Sequence, residues 1–416
     1  MENDFHIIKN LMKQYDGSFY IYDEKKISSQ IQILLENFPQ FEFLYSIKTN
    51  PFPPIVKFVA SKGFGADAAS AQEVITGQKA GMPYEKILYS SPGKTSKDIE
   101  RTIDKAMIIA DSYNELVLIN SVAQQKNIHK KVGLRINIDF SMDGEKGTSS
   151  KFGVDENTLV KQKEFLNGFS NIKIVGIHVH LRCQILDHGK ICRYYERIIE
   201  LGLFCKETLG WEMEFINLGG GLGIVYSLIN DTPLDIEKLS CDCQGLIQRF
   251  NDKLKVRLII ETGRFITCEA GRYVTRIVDI KESLGTKYLI VEKGLNGFSR
   301  PSIAELLMDY TPENSNLKAS EPLFTTKDAF EFIIPEGDTF DHEKVSIVGS
   351  LCTATDILVK DAMLPKAKIG DIVIVSKAGS YSYSLSPILF SSFCLPFQFY
   401  LNSDGEIFRS GTNSIL

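Results

Sequence analysis

Phe43-Leu44-Tyr45-Ser46-Ile47-Lys48-Thr49-Asn50-Pro51 is a short apolar run that ends in a lysine and a Thr-Asn-Pro turn. The run reads as a strand, and residues 54–61 beyond the turn read as a helix. A lysine so placed is held by a rigid element at a strand's C-terminal edge, where α/β barrels carry their chemistry. In a partly apolar pocket its amine loses charge more readily and can form a Schiff base with an aldehyde. Alone, the stretch also has a plainer reading, because lysines just past strands are commonly only solvated.

Outward from this stretch, the same strand–helix alternation recurs from about residue 40 to 270. Strand candidates fall at 41–47, 65–68, 86–89, 106–110, 131–138, 173–180, 215–218 and 257–261. Helix candidates between them fall at 54–61, 71–80, 96–105, 113–125, 192–209 and 234–254. Eight strands alternating with helices are the count of an α/β protein of the (β/α)8 barrel type. After residue 270 the texture changes to β-branched strands at 272–281, 287–291, 344–348 and 371–376, with few long helices. The early strand 18–22 is placed with them. The expected organisation is a barrel over 27–272 and a β-rich C-terminal domain over 273–416, completed by 1–26. Residues 144–150 read as a mobile polar loop.

A length of 416 residues suits two domains, or one large barrel with an appendage. A net charge of −5 speaks against a nucleic-acid surface. No apolar run approaches the ~18–20 residues that span a bilayer. The polar start Met1-Glu2-Asn3-Asp4 lacks a signal-peptide layout, so no membrane partner and a cytoplasmic location are expected. The eight scattered cysteines read as reduced thiols. Cys241-Asp242-Cys243 lacks the usual zinc spacing, and His178-Val179-His180 has no evident acidic or thiol partner nearby, so no metal is expected.

Four further motifs end strands or follow them, each with two readings. Asn217-Leu218-Gly219-Gly220-Gly221 lets backbone amides approach an anion, or ends a strand for packing reasons. Glu261-Thr262-Gly263-Arg264 offers a carboxylate, a close-approach glycine and a guanidinium matched to phosphate, or is a surface ion pair. The rings of His178 and His180 point to one side of a strand, toward the barrel mouth or into a hydrogen-bonded core. Gly349-Ser350-Leu351-Cys352-Thr353-Ala354-Thr355-Asp356 sets a cysteine in a turn, as a reactive thiol or as buried filler.

In this order the motifs resemble those of the fold-type III pyridoxal-phosphate enzymes, and within them the diaminopimelate and ornithine decarboxylase group. That group carries Tyr-x-x-Lys-x-Asn, Gly-x-His-x-His, Gly-Gly-Gly, Glu-Pro-Gly-Arg, Cys-x-x-x-Asp and Gly-x-Tyr. The likeness runs from Ser18 to about Ser386 and implies an alanine racemase-like barrel. It implies a Schiff base between Lys48 and pyridoxal 5'-phosphate, His180 stacked on the pyridine face and Glu261 paired with the pyridine nitrogen. Gly220, Gly221, Gly263, Arg264 and Tyr381 would hold the phosphate, with Asp67 near the cofactor. Cys352 would protonate the substrate carbon from the partner subunit, which implies a homodimer. Alanine racemases put arginine at the pyridine nitrogen, so a carboxylate there favours decarboxylation.

Departures from the family pattern lie where it reads substrate. Arg300-Pro301 is present, but Ala304 stands where diaminopimelate decarboxylases have tyrosine, and Thr353 where they have glutamate. Losing partners for a buried carboxylate and ammonium weakens binding of free diaminopimelate. The family's His-x-Gly-Ser-Gln reads His180-Leu181-Arg182-Cys183-Gln184. Cys183 is a weaker phosphate donor than serine. Arg182 adds a charge that compensates at the phosphate, faces a substrate carboxylate or turns to solvent. Arg300, Thr353 and Arg182 are the candidate substrate residues. The resemblance implies decarboxylation of an amino acid or a conjugated or carrier-bound one, as in siderophore and antibiotic pathways. The alternatives are a diaminopimelate decarboxylase of lysine biosynthesis and a non-catalytic cofactor-binding homologue.

Overall fold

The structure, a computed structural model, describes residues 2–143, 146–227, 231–310 and 328–410. The chain divides into two compact units, one of Ile31–Ile224 with Pro233–Gly263, the other of Met1–Gln30, Val225–Thr232 and Arg264–Leu416.

The first unit is a closed barrel of eight parallel strands: Glu42–Ser46, Gly65–Ala68, Ile87–Ser90, Met107–Ala110, Lys130–Asn137, Ile172–His178, Phe215–Asn217 and Arg257–Thr262. It closes where the last strand pairs with the first, Ile260 opposite Phe43 and Glu261 opposite Leu44. Inside, Leu44, Leu88, Met107, Ile109, Val175, Phe215 and Ile259 form one apolar cluster. The Phe215 ring fills space that the fifth and sixth strands leave with glycines. A Cβ on Gly176 would come within 2.4 Å of the ring, and one on Gly133 within 2.9 Å.

Outer helices start where a short polar side chain takes an orphan N–H. Ser70 accepts from Glu73, Ser112 from Glu115, Asp187 from Lys190 and Asp235 from Lys238. Several boundaries differ from the sequence reading, among them these two. The sixth strand stops at His178; beyond it Val179 N–H still donates to the Asn217 carbonyl, and the His180 ring accepts from the Gly220 N–H. The helix expected at 192–209 is an α-helix over His188–Phe204 and a wider turn over Cys205–Leu209, ended by Gly210 at φ 80°.

The second unit is a nine-stranded sheet. The early strand Phe19–Asp23 lies inside it, antiparallel to Gly271–Ser283 and parallel to Phe397–Leu401. Two helices stand where few were expected. Glu2–Tyr15 packs Ile8, Leu11 and Met12 against Phe19, Val274, Ile374 and Phe399. Ser299–Tyr310 tolerates Pro301 because its first turn needs no proline N–H. Residues 144 and 145 of the polar loop lie outside the described residues. Among the described residues no helix is long and apolar enough to cross a membrane.

The glycine–ring packing gives a stability test. Gly176→Ala forces a methyl into Phe215, and the expected loss in urea unfolding is about 1–3 kcal/mol, typical of overpacking. Adding Phe215→Leu should recover part of it. A Gly176→Ala protein as stable as wild type would refute this account of the barrel interior.

Candidate active site

Past the first barrel strand the chain makes one 3-10 turn, Ile47–Thr49, that carries Lys48. The Tyr45 hydroxyl donates to the Asn50 carbonyl at 2.9 Å, and the Asn50 side chain accepts from Phe52 N–H at 3.1 Å. These bonds fix the turn before the helix Pro53–Ser61 begins. Lys48 Nζ lies 3.1 Å from Asp67 Oδ2 at the end of the second strand. The other Asp67 oxygen accepts from Ser90 at the end of the third, 3.0 Å away. The Asp67 side chain is 1% exposed and that of Lys48 36%, so a buried carboxylate aims an amine that incoming molecules can reach.

A second carboxyl stands beside this pair. Glu73 accepts from the Ala69 N–H at 2.7 Å while its own N–H donates to Ser70 at 3.2 Å. Burial pushes the Glu73 carboxyl up to about 7; the Ala69 bond and Lys48 offset this only in part, and Asp67 adds to it. Ser70-x-x-Glu73 follows a helix-capping pattern that the sequence reading did not single out. The closeness of Glu73 to Lys48 depends on how adjacent strands pair.

Glu261 is buried at the end of the eighth strand. Its Oε1 accepts from Asn217 Nδ2 at 2.8 Å and lies 3.1 Å from His178 Nε2; its Oε2 lies 3.9 Å from His180 Nδ1. Burial opposes ionisation, but His178, Lys48 and His180 outweigh it and hold the carboxyl below the usual range. Burial drives the His178 imidazole the other way, below its ordinary value. Asn217, unassigned in the sequence reading, ties the site together, since its Oδ1 also accepts from Gly219 N–H at 2.9 Å.

The glycine run makes a concave turn. Gly219 and Gly221 have φ of 71° and 141°, and a Cβ on Gly219 would sit 2.4 Å from the Val179 carbonyl. The loop after the sixth strand is pinned to it. Ile185 N–H donates to Gly221 O at 2.8 Å, the Gln184 amide brackets Ile224, and the buried Cys183 lies between. Tyr194, also missed, accepts from Leu181 N–H and donates to the Val179 carbonyl. Arg182 points away from these contacts to Asp143, 2.5 Å distant, which also pairs with Lys190. At Gly263 a Cβ would fall 2.1 Å from the Thr49 hydroxyl, so the glycine permits the eighth strand's end to lie against the Lys48 turn.

In the second unit, Arg264 and Arg300 are both buried and both donate to the Tyr226 hydroxyl, at 2.6 and 2.9 Å. Tyr381, at φ 51°, has its ring 4.9 Å from the Arg264 guanidinium carbon. The Cys352 turn is stapled by the buried Asp356, which accepts from Leu295 N–H and Leu351 N–H. That leaves Cys352 exposed, with the Thr353 hydroxyl 2.9 Å from that of Thr355. Among the described residues no group of three His, Cys, Asp or Glu side chains is arranged to hold a metal ion.

Residues 24–268 match the family model described as "Pyridoxal-dependent decarboxylase, pyridoxal binding domain". The chain belongs to this decarboxylase family. It is 30% identical to an L-glutamyl-[BtrI acyl-carrier protein] decarboxylase of Niallia circulans, over 97% of this chain and 94% of the relative. It is 29% identical to a diaminopimelate decarboxylase of Aquifex aeolicus, over 91% and 85%. Diaminopimelate decarboxylase of M. jannaschii, solved with L-lysine, superposes at a TM-score of 0.82 and 25% identity, covering 96% of this chain and 90% of that one. The enzyme is a pyridoxal-phosphate-dependent amino-acid decarboxylase. The barrel end fits that cofactor: an accessible amine suits its aldehyde, a buried ionised carboxylate its protonated ring, and a glycine turn free of Cβ atoms the close approach of its phosphate.

Glu73 supplies a pH test. Its folded-state value of about 7 lies above that of an unfolded glutamate, so it stabilises the fold below about pH 4.3 and that contribution is lost as pH rises through 7. Cofactor-free Glu73→Gln should therefore gain stability relative to wild type between pH 5 and pH 8 in urea titrations. A constant difference across that range would refute the assignment.

Proposed function

We propose that this enzyme removes the α-carboxylate of an amino acid held as a conjugate or on a carrier, in the cytoplasm, as a homodimer. The buried, ionised Glu261 carries the reading. When bound, the cofactor supplies an electron sink for the pair left by departing CO2, and a carboxylate that keeps its ring nitrogen protonated strengthens that sink. Lys48 would hold the cofactor by its aldehyde, with Asp67 orienting its Nζ. His180 would face the cofactor ring, its Nδ1 accepting from the Gly220 N–H. Gly220, Gly221, Gly263, Arg264, Tyr381 and Cys183 would hold the phosphate, and Cys352 would supply the proton to the product carbon in the site of a second copy.

The substrate reading rests on Arg300, Ala304 and Thr353. Arg300 suits a carboxylate, but Ala304 brings no hydroxyl to it and Thr353 cannot pair with a distal ammonium. A different or larger tail is the substrate feature that these residue types favour, which agrees with the 30% likeness to a carrier-protein decarboxylase. Arg182, paired with Asp143 and about half exposed, is assigned here to the charged part of such a tail.

Release of CO2 from free diaminopimelate and from glutamyl thioesters of a pantetheine arm or carrier protein tests this. Diaminopimelate should be at least about a hundredfold poorer in kcat/KM, the ratio for ~2.7 kcal/mol of lost transition-state binding. Efficient turnover of diaminopimelate would return the chain to lysine biosynthesis. Lys48→Ala should remain folded and lose both turnover and the covalent attachment of pyridoxal phosphate that borohydride reduction would fix on the wild-type protein; turnover by that variant would remove the central claim.

For Cys352, Lys48→Ala and Cys352→Ala proteins should each be inactive, and mixing them under subunit exchange should restore a fraction of activity. Proven exchange without recovery would deny Cys352 its role across a dimer.

A further inference from the structure

Two arginines that the proposed function gives separate tasks meet at one atom. Nη1 of Arg264 and Nη1 of Arg300 donate to the Tyr226 hydroxyl from 2.6 and 2.9 Å. Their guanidinium carbons lie 5.6 and 5.0 Å from the centre of the same ring. All three residues are at most 5% exposed, in a low-dielectric setting where such bonds are strong and exacting in geometry.

The phenol is itself oriented. Cys268 Sγ lies 3.3 Å from the Tyr226 hydroxyl, and the thiol donates to the Lys377 carbonyl at 3.4 Å. With its proton directed there, the sulfur is free to accept from the phenol, whose oxygen in turn faces the two guanidinium N–H groups. Lys377 Nζ donates to the Tyr226 carbonyl, so the residue is tied at backbone and side chain. Arg300 is further fixed by the Ser380 carbonyl at 3.4 Å and the Phe330 ring at 5.2 Å. Burial pushes the phenol's pKa up and the two arginines draw it down only in part, in keeping with a neutral hydroxyl that both accepts and donates.

We propose that Tyr226 is a positioning residue that couples Arg264 to Arg300, so that cofactor affinity and recognition of the substrate's carboxylate-bearing tail depend on each other. The inference rests on the phosphate role of Arg264 and the substrate role of Arg300. A shared acceptor cannot keep both bonds when one guanidinium moves, so a change at either arginine shifts the other.

The test is cofactor affinity, read by fluorescence titration of cofactor-free protein with pyridoxal phosphate, together with KM and kcat. Arg264→Lys should weaken cofactor binding at least about tenfold, as loss of a charged bidentate partner does. Arg300→Lys, at the arginine assigned to substrate, should also weaken it, by about threefold to tenfold, the scale of coupling within one side-chain network. In a Tyr226→Phe background the further effect of Arg300→Lys on cofactor affinity should shrink below about twofold. Tyr226→Phe alone should raise KM with kcat little changed, which a merely loosened fold would not do. Cofactor affinity unmoved by Arg300→Lys, or moved equally in both backgrounds, overturns the coupling, and the first needs no Tyr226 variant to fold. Cofactor affinity unmoved by Arg264→Lys instead overturns the phosphate role beneath it.

Discussion

Closure of the barrel between its first and last strands is the constraint on which the site depends. Phe43 and Leu44 lie opposite Ile260 and Glu261. That register sets the Lys48 turn beside the buried carboxylate, although the two are far apart in the chain. Outside, Arg257 grips Glu42 with two bonds of 2.8 and 2.6 Å. At the mouth, Gly263 is the residue that lets the two ends close, since any side chain would strike Thr49. A slip of one residue would turn Glu261 to the opposite face.

Three carboxyls surround one lysine, and their environments divide the work. Asp67 shares its oxygens between Lys48 and Ser90. Glu261 has Asn217 and two imidazoles to favour its anion, whereas Glu73 has one backbone N–H against a large desolvation cost. One group is therefore held ionised and another titrates near neutrality within the same barrel end. Such splitting of like groups is how a fold keeps acid and base functions at one pH.

The second unit shows the same economy of atoms. A single phenol receives two guanidinium groups, and a single aspartate, Asp356, receives the backbone N–H of Leu351 within the Cys352 turn and that of Leu295 from a separate segment. Gly294 and Gly349 make that possible, because a Cβ at either would lie 2.1 Å from the Asp356 carboxylate. Cys352 thus sits exposed on a turn held by bonds to a buried carboxylate.

Much of this was legible in the chain before any coordinates. Strand-length apolar runs alternating with helices, and Lys48, Gly220, Gly221, Glu261 and Gly263 at their ends, follow from local periodicity and from glycine's steric freedom, which act between near neighbours. The N-caps at Ser70 and Ser112 are local in the same sense, although the sequence reading did not single them out. Asn217, Glu73, Tyr194 and Tyr226 acquire their places only through tertiary structure. Each is an ordinary polar residue whose importance comes from what pairing across strands and loops brings within 3 Å or so of it. The bond from the Gly220 N–H to the His180 ring has the same origin, since it joins the ends of adjacent strands. Residue type and short-range spacing determined which chemistry the chain can carry. Burial and the long-range register decided which groups are charged and which partners they keep, because desolvation and hydrogen-bond geometry exist only once the barrel has closed.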